Sequence, residues 1–168
     1  MSGIGGIAVL YPQLLEGDFE RLPRSLREFH SAPGGGRATG TVAVRHTNRW
    51  LAWMTGFPPA GDGIPLELEI VAGDDQEVWI RRFGGRVRRS VQHREGGLLL
   101  EAMGPLRLLF RVFADSRGLR FETERAHLWR IPVPLRVSAE ARGNESSWEI
   151  EVSVAFIGAY RGALATTV

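Results

Sequence analysis

The sequence predicts a mainly β domain of the α+β class. It would be a single antiparallel barrel, or a strongly curved sheet, of about eight to ten strands, capped by short N-terminal helices. Three observations predict it. From Gly36 to Leu164 the chain is written as short runs in which apolar and polar residues alternate, the period of a half-buried strand. Glycine-bearing or acidic turn signals separate the runs, as at Gly84-Gly85, Glu95-Gly96-Gly97 and Asp115-Ser116-Arg117-Gly118. The carboxylates concentrate on one phase of the strands, and aliphatic side chains with a few Arg and His on the other. Short turns between many sequential strands favour closure, which removes exposed edges.

The elements follow in order. Pro12 suits the first turn of a short helix carrying Leu14 and Leu15, which Gly17-Asp18 breaks. A second helix starts at Pro23, with Leu22, Leu26 and Phe29 on one stripe. Pro33-Gly34-Gly35-Gly36 ends it and opens the sheet. The first strand covers 37–47. Asn48 caps a third helix, Arg49 to Thr55, closed by Gly56. Its run Trp50-Leu51-Ala52-Trp53-Met54 is apolar nearly all round, the mark of a buried helix; Trp50 or Trp53 is expected to be largely buried, or to form a lid over a pocket mouth. A loop, 57–63, precedes the meander: 66–70, 76–83, 86–94, 98–103, 106–114, 119–129, 135–142, 148–157 and a last run at 160–166. Glycine pairs supply the positive φ values of a primed hairpin turn. Val137, Ala139, Ile150, Val152 and Val154 are expected inside, with Glu149 and Glu151 outside. The division is one domain, 1–168, with a helical segment at about 8–32 and a β-meander at about 36–166.

Composition narrows the chemistry. The chain has 168 residues and no cysteine, which excludes disulfides, thiolate catalysis and cysteine metal sites. All 21 basic residues are Arg, so lysine bases and Schiff bases are excluded and the cations bind anions rather than move protons. The net charge is only +2, without the clustered excess of a nucleic-acid domain. No apolar stretch is long enough for a membrane span. Met1 to Gly6 lacks a basic leader, so a cytoplasmic location is expected. The glycines at Gly3–Gly6 and Gly34–Gly36 lack the strand–turn–helix setting of a nucleotide fingerprint. No cofactor, metal or catalytic residue is implied.

The strand phases nominate a site. Arg86, Arg88, Ser90, Gln92 and Arg94 share one polar phase, which turns Val87, Arg89, Val91 and His93 inward. In the run 119–129 the inward phase is Leu119, Phe121, Thr123, Arg125, His127 and Trp129. Arg89, His93, Arg125 and His127 therefore face an apolar interior with no carboxylate in phase, and a bound carboxylate or phosphate would satisfy them. Together with Trp50 and Trp53 they form the candidate ligand site, for a fatty-acid-like or other apolar anion. A bulge would reverse either phase.

Several blocks resemble a bacterial family of uncharacterised domains: Tyr11-Pro12-Gln13-Leu14-Leu15-Glu16-Gly17-Asp18-Phe19, Leu26-Arg27-Glu28-Phe29-His30, Gly35-Gly36-Arg37-Ala38-Thr39-Gly40, Phe57-Pro58-Pro59-Ala60-Gly61, Arg82-Phe83-Gly84-Gly85, Gly104-Pro105-Leu106 and Tyr160-Arg161-Gly162. The resemblance spans nearly the whole chain. Members of that family stand alone or fused C-terminal to saccharopine-dehydrogenase-like proteins. The resemblance implies a non-catalytic binding module or an accessory domain docking onto a dinucleotide-dependent reductase, the latter with a filled core. It carries over no catalytic residue.

Overall fold

In a computed structural model, which describes residues 9–167, ten antiparallel strands close into a barrel. They are β1 (Arg37–His46), β2 (Gly61–Ala72), β3 (Gln76–Phe83), β4 (Arg86–Glu95), β5 (Leu98–Met103), β6 (Leu106–Ala114), β7 (Gly118–Leu128), β9 (Val137–Gly143), β10 (Ser147–Val154) and β11 (Gly158–Thr166). Each pairs with the next in the chain, and β1 pairs with β11 to close the ring. A two-residue strand, β8 (Ile131–Pro132), folds back on β7 outside this ring. The meander is the expected one. Strand β2 begins earlier than the proline-rich loop suggests, because Gly61 already pairs with Val44. The Gly3–Gly6 segment, and the start of the expected helical segment at residue 8, lie outside the described residues.

An up-and-down barrel puts alternate connections at opposite ends. One end is closed by α1 (Leu10–Leu15), a 3-10 turn (Glu16–Arg21) and α2 (Arg24–Ser31). Their apolar faces, Tyr11, Leu15, Phe19, Leu22, Leu26 and Phe29, are buried against the barrel. Ser25 Oγ fixes α2 by donating to Asn144 O at 2.7 Å, in the β9–β10 turn. Gly35 makes the tight passage into β1: its φ is +116°, and a Cβ there would lie 1.8 Å from Ile70 O. Only glycine tolerates both conditions.

The other end carries α3 (Arg49–Met54), capped by Asn48, whose side chain accepts from Leu51 N at 3.0 Å. This helix corrects one expectation. Trp50 and Trp53 are 64% and 69% exposed and stack on each other with centroids 5.2 Å apart. Only Ala52 of the helix is buried. A single turn and a half lying on a barrel rim has one small face to bury, and the small residue takes it. No helix among the described residues is long and apolar enough to cross a membrane.

Candidate functional site

The barrel interior is packed at the closed end and hollow above it. A cavity of about 220 Å³ is bounded below by Tyr11, His30, Trp79 and Trp148, and above by Thr55, Phe57, Arg88, Leu106, Leu135 and Val154. It opens toward α3, where Met103, Leu106, Leu135, Val137 and Val154 are only half-buried. Val137, Ala139, Ile150, Val152 and Val154 face inward as expected, with Glu149 and Glu151 exposed. Their partial exposure is to the lumen.

The two walls differ in chemistry. The β7–β9–β10 wall is apolar: Leu119, Phe121, Val137, Ala139, Ile150, Val152 and Val154. The β3–β4–β5 wall carries a polar seam. At its centre Arg81 Nη2 donates to Glu101 Oε1 at 2.8 Å and Nη1 to Ser90 Oγ at 2.8 Å, while Ser90 Oγ donates to the same carboxylate oxygen at 2.5 Å. Burial opposes the Arg81 charge, but Glu101 and nearby hydroxyls more than offset it, so the group is held above its ordinary pKa. Deeper, Tyr11 OH donates to Gln92 Oε1 at 2.9 Å. Burial first, then the Glu77 and Glu101 carboxylates, hold the Tyr11 phenol well above its usual range. At the floor Trp79 Nε1 donates to Glu77 Oε2 at 3.2 Å, and burial pushes the Glu77 carboxyl up to about 7. His30, packed against Tyr11 with ring centroids 3.9 Å apart and the planes tilted by 36°, is driven by burial to about 3 and is neutral.

Arg88 sits at the mouth of this seam. It is directly opposite Arg81 across the β3–β4 ladder, an arrangement that disfavours both charges. Arg81 has Glu101; Arg88 forms no ion pair among the described residues. Its Nη2 donates to Thr55 O at 2.6 Å, tying the end of α3 across the opening. Burial first, and the Arg81 charge second, hold its guanidinium below its ordinary pKa. A partly buried cation without a counter-ion, beside a second cation and above an apolar lumen, favours an incoming anion.

The inward placing of Arg89, His93, Arg125 and His127 is corrected. Arg89 and Arg125 are exposed, and His93 and His127 are half-exposed on the outer wall. Strand β4 is inverted relative to its composition: Ser90 and Gln92 are buried, whereas Val87 is 53% exposed. In β7 the expected phase holds through Thr123. There a bulge intervenes, because Leu109 pairs with Arg125 and Phe110 with Thr123, leaving Glu124 extra. The phase then reverses and Ala126 is the buried residue. His93, Leu100, Leu109 and Arg125 form one lateral row, so the His93 and Arg125 backbones stand three strand spacings apart, about 14 Å. Both stand on the outer wall, and neither borders the cavity.

Sequence reasoning missed Arg81, Glu101 and Glu77, and it placed Arg88 and Gln92 on the outward phase of their strand, whereas both border the cavity. Glu101 did leave a signal. It is the lone acid within Leu98–Met103, and a carboxylate in an otherwise apolar strand calls for a buried partner.

A family model described as Domain of unknown function (DUF4166) matches residues 22–158. No match was found among curated proteins or among solved structures.

Proposed function

The chain belongs to the DUF4166 family, and we propose that it is a non-catalytic binding module that holds an apolar anion in the lumen of its barrel. The observation that carries this reading is Arg88: a cation without a carboxylate partner at the mouth of a cavity whose far wall is entirely aliphatic and aromatic. An alkyl or ring system would lie against Val137, Ile150, Val152 and Val154, and a carboxylate or phosphate would meet Arg88. Gln92 and Tyr160 border the same cavity and offer further polar contacts. The sites of small ligands combine apolar walls with a few placed polar groups in this way.

The reading as an accessory domain with a filled core, docked on a dinucleotide-dependent reductase, has less support because the core is not filled. General-base chemistry by His93 or His127 has none, since neither borders the cavity. Native mass spectrometry of protein purified from its own host tests the proposal. A co-purified small anion, lost on Arg88→Leu, is the expected result. A ligand-free spectrum, together with failure of added alkyl carboxylates to bind, would overturn it.

A further inference from the structure

The open end of the barrel is built unlike the closed one. Five connections meet there: 47–60, 84–85, 104–105, 129–136 and 155–157. Most of the large apolar side chains exposed among the described residues belong to them or flank them: Trp50, Trp53, Met54, Val87, Leu128, Trp129 (73% exposed), Ile131 and Phe156 (75% exposed). The same loops and flanks carry Arg49, Arg86, Arg107, Arg130 and Arg136, all exposed and in no ion pair among the described residues. None of the five connections contains an Asp or Glu. The nearest acid, Asp62, is held by Arg45 at 2.6 Å. The closed end differs in charge: its turns and their flanks carry Asp74, Asp75, Glu95, Asp115 and Glu145, and its helical segment carries Glu16, Asp18, Glu20 and Glu28, which outnumber the arginines there, with Arg21, Arg24 and Arg27 each paired to an acid.

Backbone geometry at the tips points the same way. Trp129 and Arg130 form the two-residue turn between β7 and β8, with φ of 46° and 70°. Both values are left-handed, which two-residue hairpins reserve for Asn-Gly. Phe156, at the β10–β11 turn, has φ 66°. Bulky side chains are costly in this region, so these turns carry aromatic and basic groups where stability alone would select Asn and Gly. The loops are also tied to one another. Trp129 N donates to Pro105 O, Ala155 N to Arg136 O, and Thr47 N to Ile157 O, at 3.1, 2.9 and 2.9 Å.

We propose that this end docks onto an anionic lipid bilayer, with the Trp50–Trp53 pair, Trp129, Ile131 and Phe156 seated in the headgroup region and the five arginines on lipid phosphates. Tryptophan favours that interface, and clustered cations beside apolar side chains fit an anionic leaflet. The barrel walls cannot serve: Glu67, Glu122, Glu149, Glu151 and Arg161 stand exposed on them. Docking is therefore end-on, and it presents the cavity mouth to the bilayer. It stands on the rim alone and requires no ligand in the lumen.

The test is co-sedimentation with phosphatidylcholine vesicles, with and without phosphatidylglycerol, using wild type, Trp129→Asn/Arg130→Gly and Trp50→Ala/Trp53→Ala. Wild type should bind the anionic vesicles at least tenfold more tightly than the neutral ones, and added salt should weaken it. Brominated phosphatidylglycerol should quench rim tryptophan emission and spare buried Trp79 and Trp148. The Trp129→Asn/Arg130→Gly variant should melt at the same or a higher temperature yet lose about tenfold in vesicle binding; a merely structural turn would not separate the two readings. Failure of wild type to bind anionic vesicles, or variants that bind as wild type does, would overturn the proposal. So would a wild-type dimer that the tryptophan substitutions dissociate, since this end would then be a self-association face. Ligand titration in the absence of vesicles tests the cavity separately.

Discussion

Glu77 and Arg88 are single ionisable residues whose burial disfavours the charged form of each. Glu77 is buried with one oxygen on Trp79 Nε1 and the other unpartnered. Its pKa is raised from 4.5 to about 7. The folded state therefore keeps a proton that the unfolded chain releases, and stability falls as pH rises from about 4.5 to about 7. The loss is about 3 kcal/mol. His30 has the opposite sense. Its pKa is lowered from 6.5 to about 3, so stability is lost as pH falls from 6.5 toward 3. The two slopes cancel between about pH 4.5 and 6.5, and denaturant titrations of wild type should show a plateau there. Glu77→Gln removes one slope. Relative to wild type it should gain about 3 kcal/mol more at pH 8 than at pH 4.5, and equal effects at the two pH values would contradict the assignment. Arg88→Leu should leave unliganded stability nearly unchanged, because it removes one hydrogen bond to Thr55 O and one uncompensated cation together.

At the scale of elements, much of the barrel was legible and its key phases were not. Alternation in β9 and β10 identified the inward side chains, because that wall faces an apolar lumen and water, the situation alternation reports. Strand β4 misled because its polar face looks inward. Ser90 and Gln92 are needed there by Arg81, Glu101 and Tyr11, which come from other strands and a helix that local pattern does not connect. Such a conflict between local pattern and global placement belongs at functional sites. In β7 the single extra residue Glu124 at the bulge moved Arg125 and His127 outward, and composition does not encode a bulge. Helix α3 looked buried because a run of apolar residues reads the same whether it faces a core or a rim. Trp53→Ala should accordingly shift stability by no more than about 0.5 kcal/mol in a thermal melt, where a core tryptophan would cost about 3–5 kcal/mol. Gly35→Ala should cost more than about 1 kcal/mol, since both its φ and the Ile70 carbonyl forbid a Cβ.

The whole molecule is a barrel with one sealed acidic end and one open end that is aromatic and basic. Leu10, Tyr11, Leu15, Phe19, Leu22, Leu26 and Phe29 plug the closed end, so access to the lumen runs through the mouth that Arg88 and α3 share. In the proposed function the lumen takes an apolar chain and Arg88 reads its charge. Calorimetric titration of wild type and Arg88→Leu with dodecanoate and with dodecanol separates the two parts. Wild type should bind both, and dodecanoate more tightly. Arg88→Leu should lose about 1.5–3 kcal/mol for dodecanoate, a weakening of roughly tenfold or more, with dodecanol unchanged. No binding of either compound by wild type, or an equal loss for acid and alcohol, would contradict it.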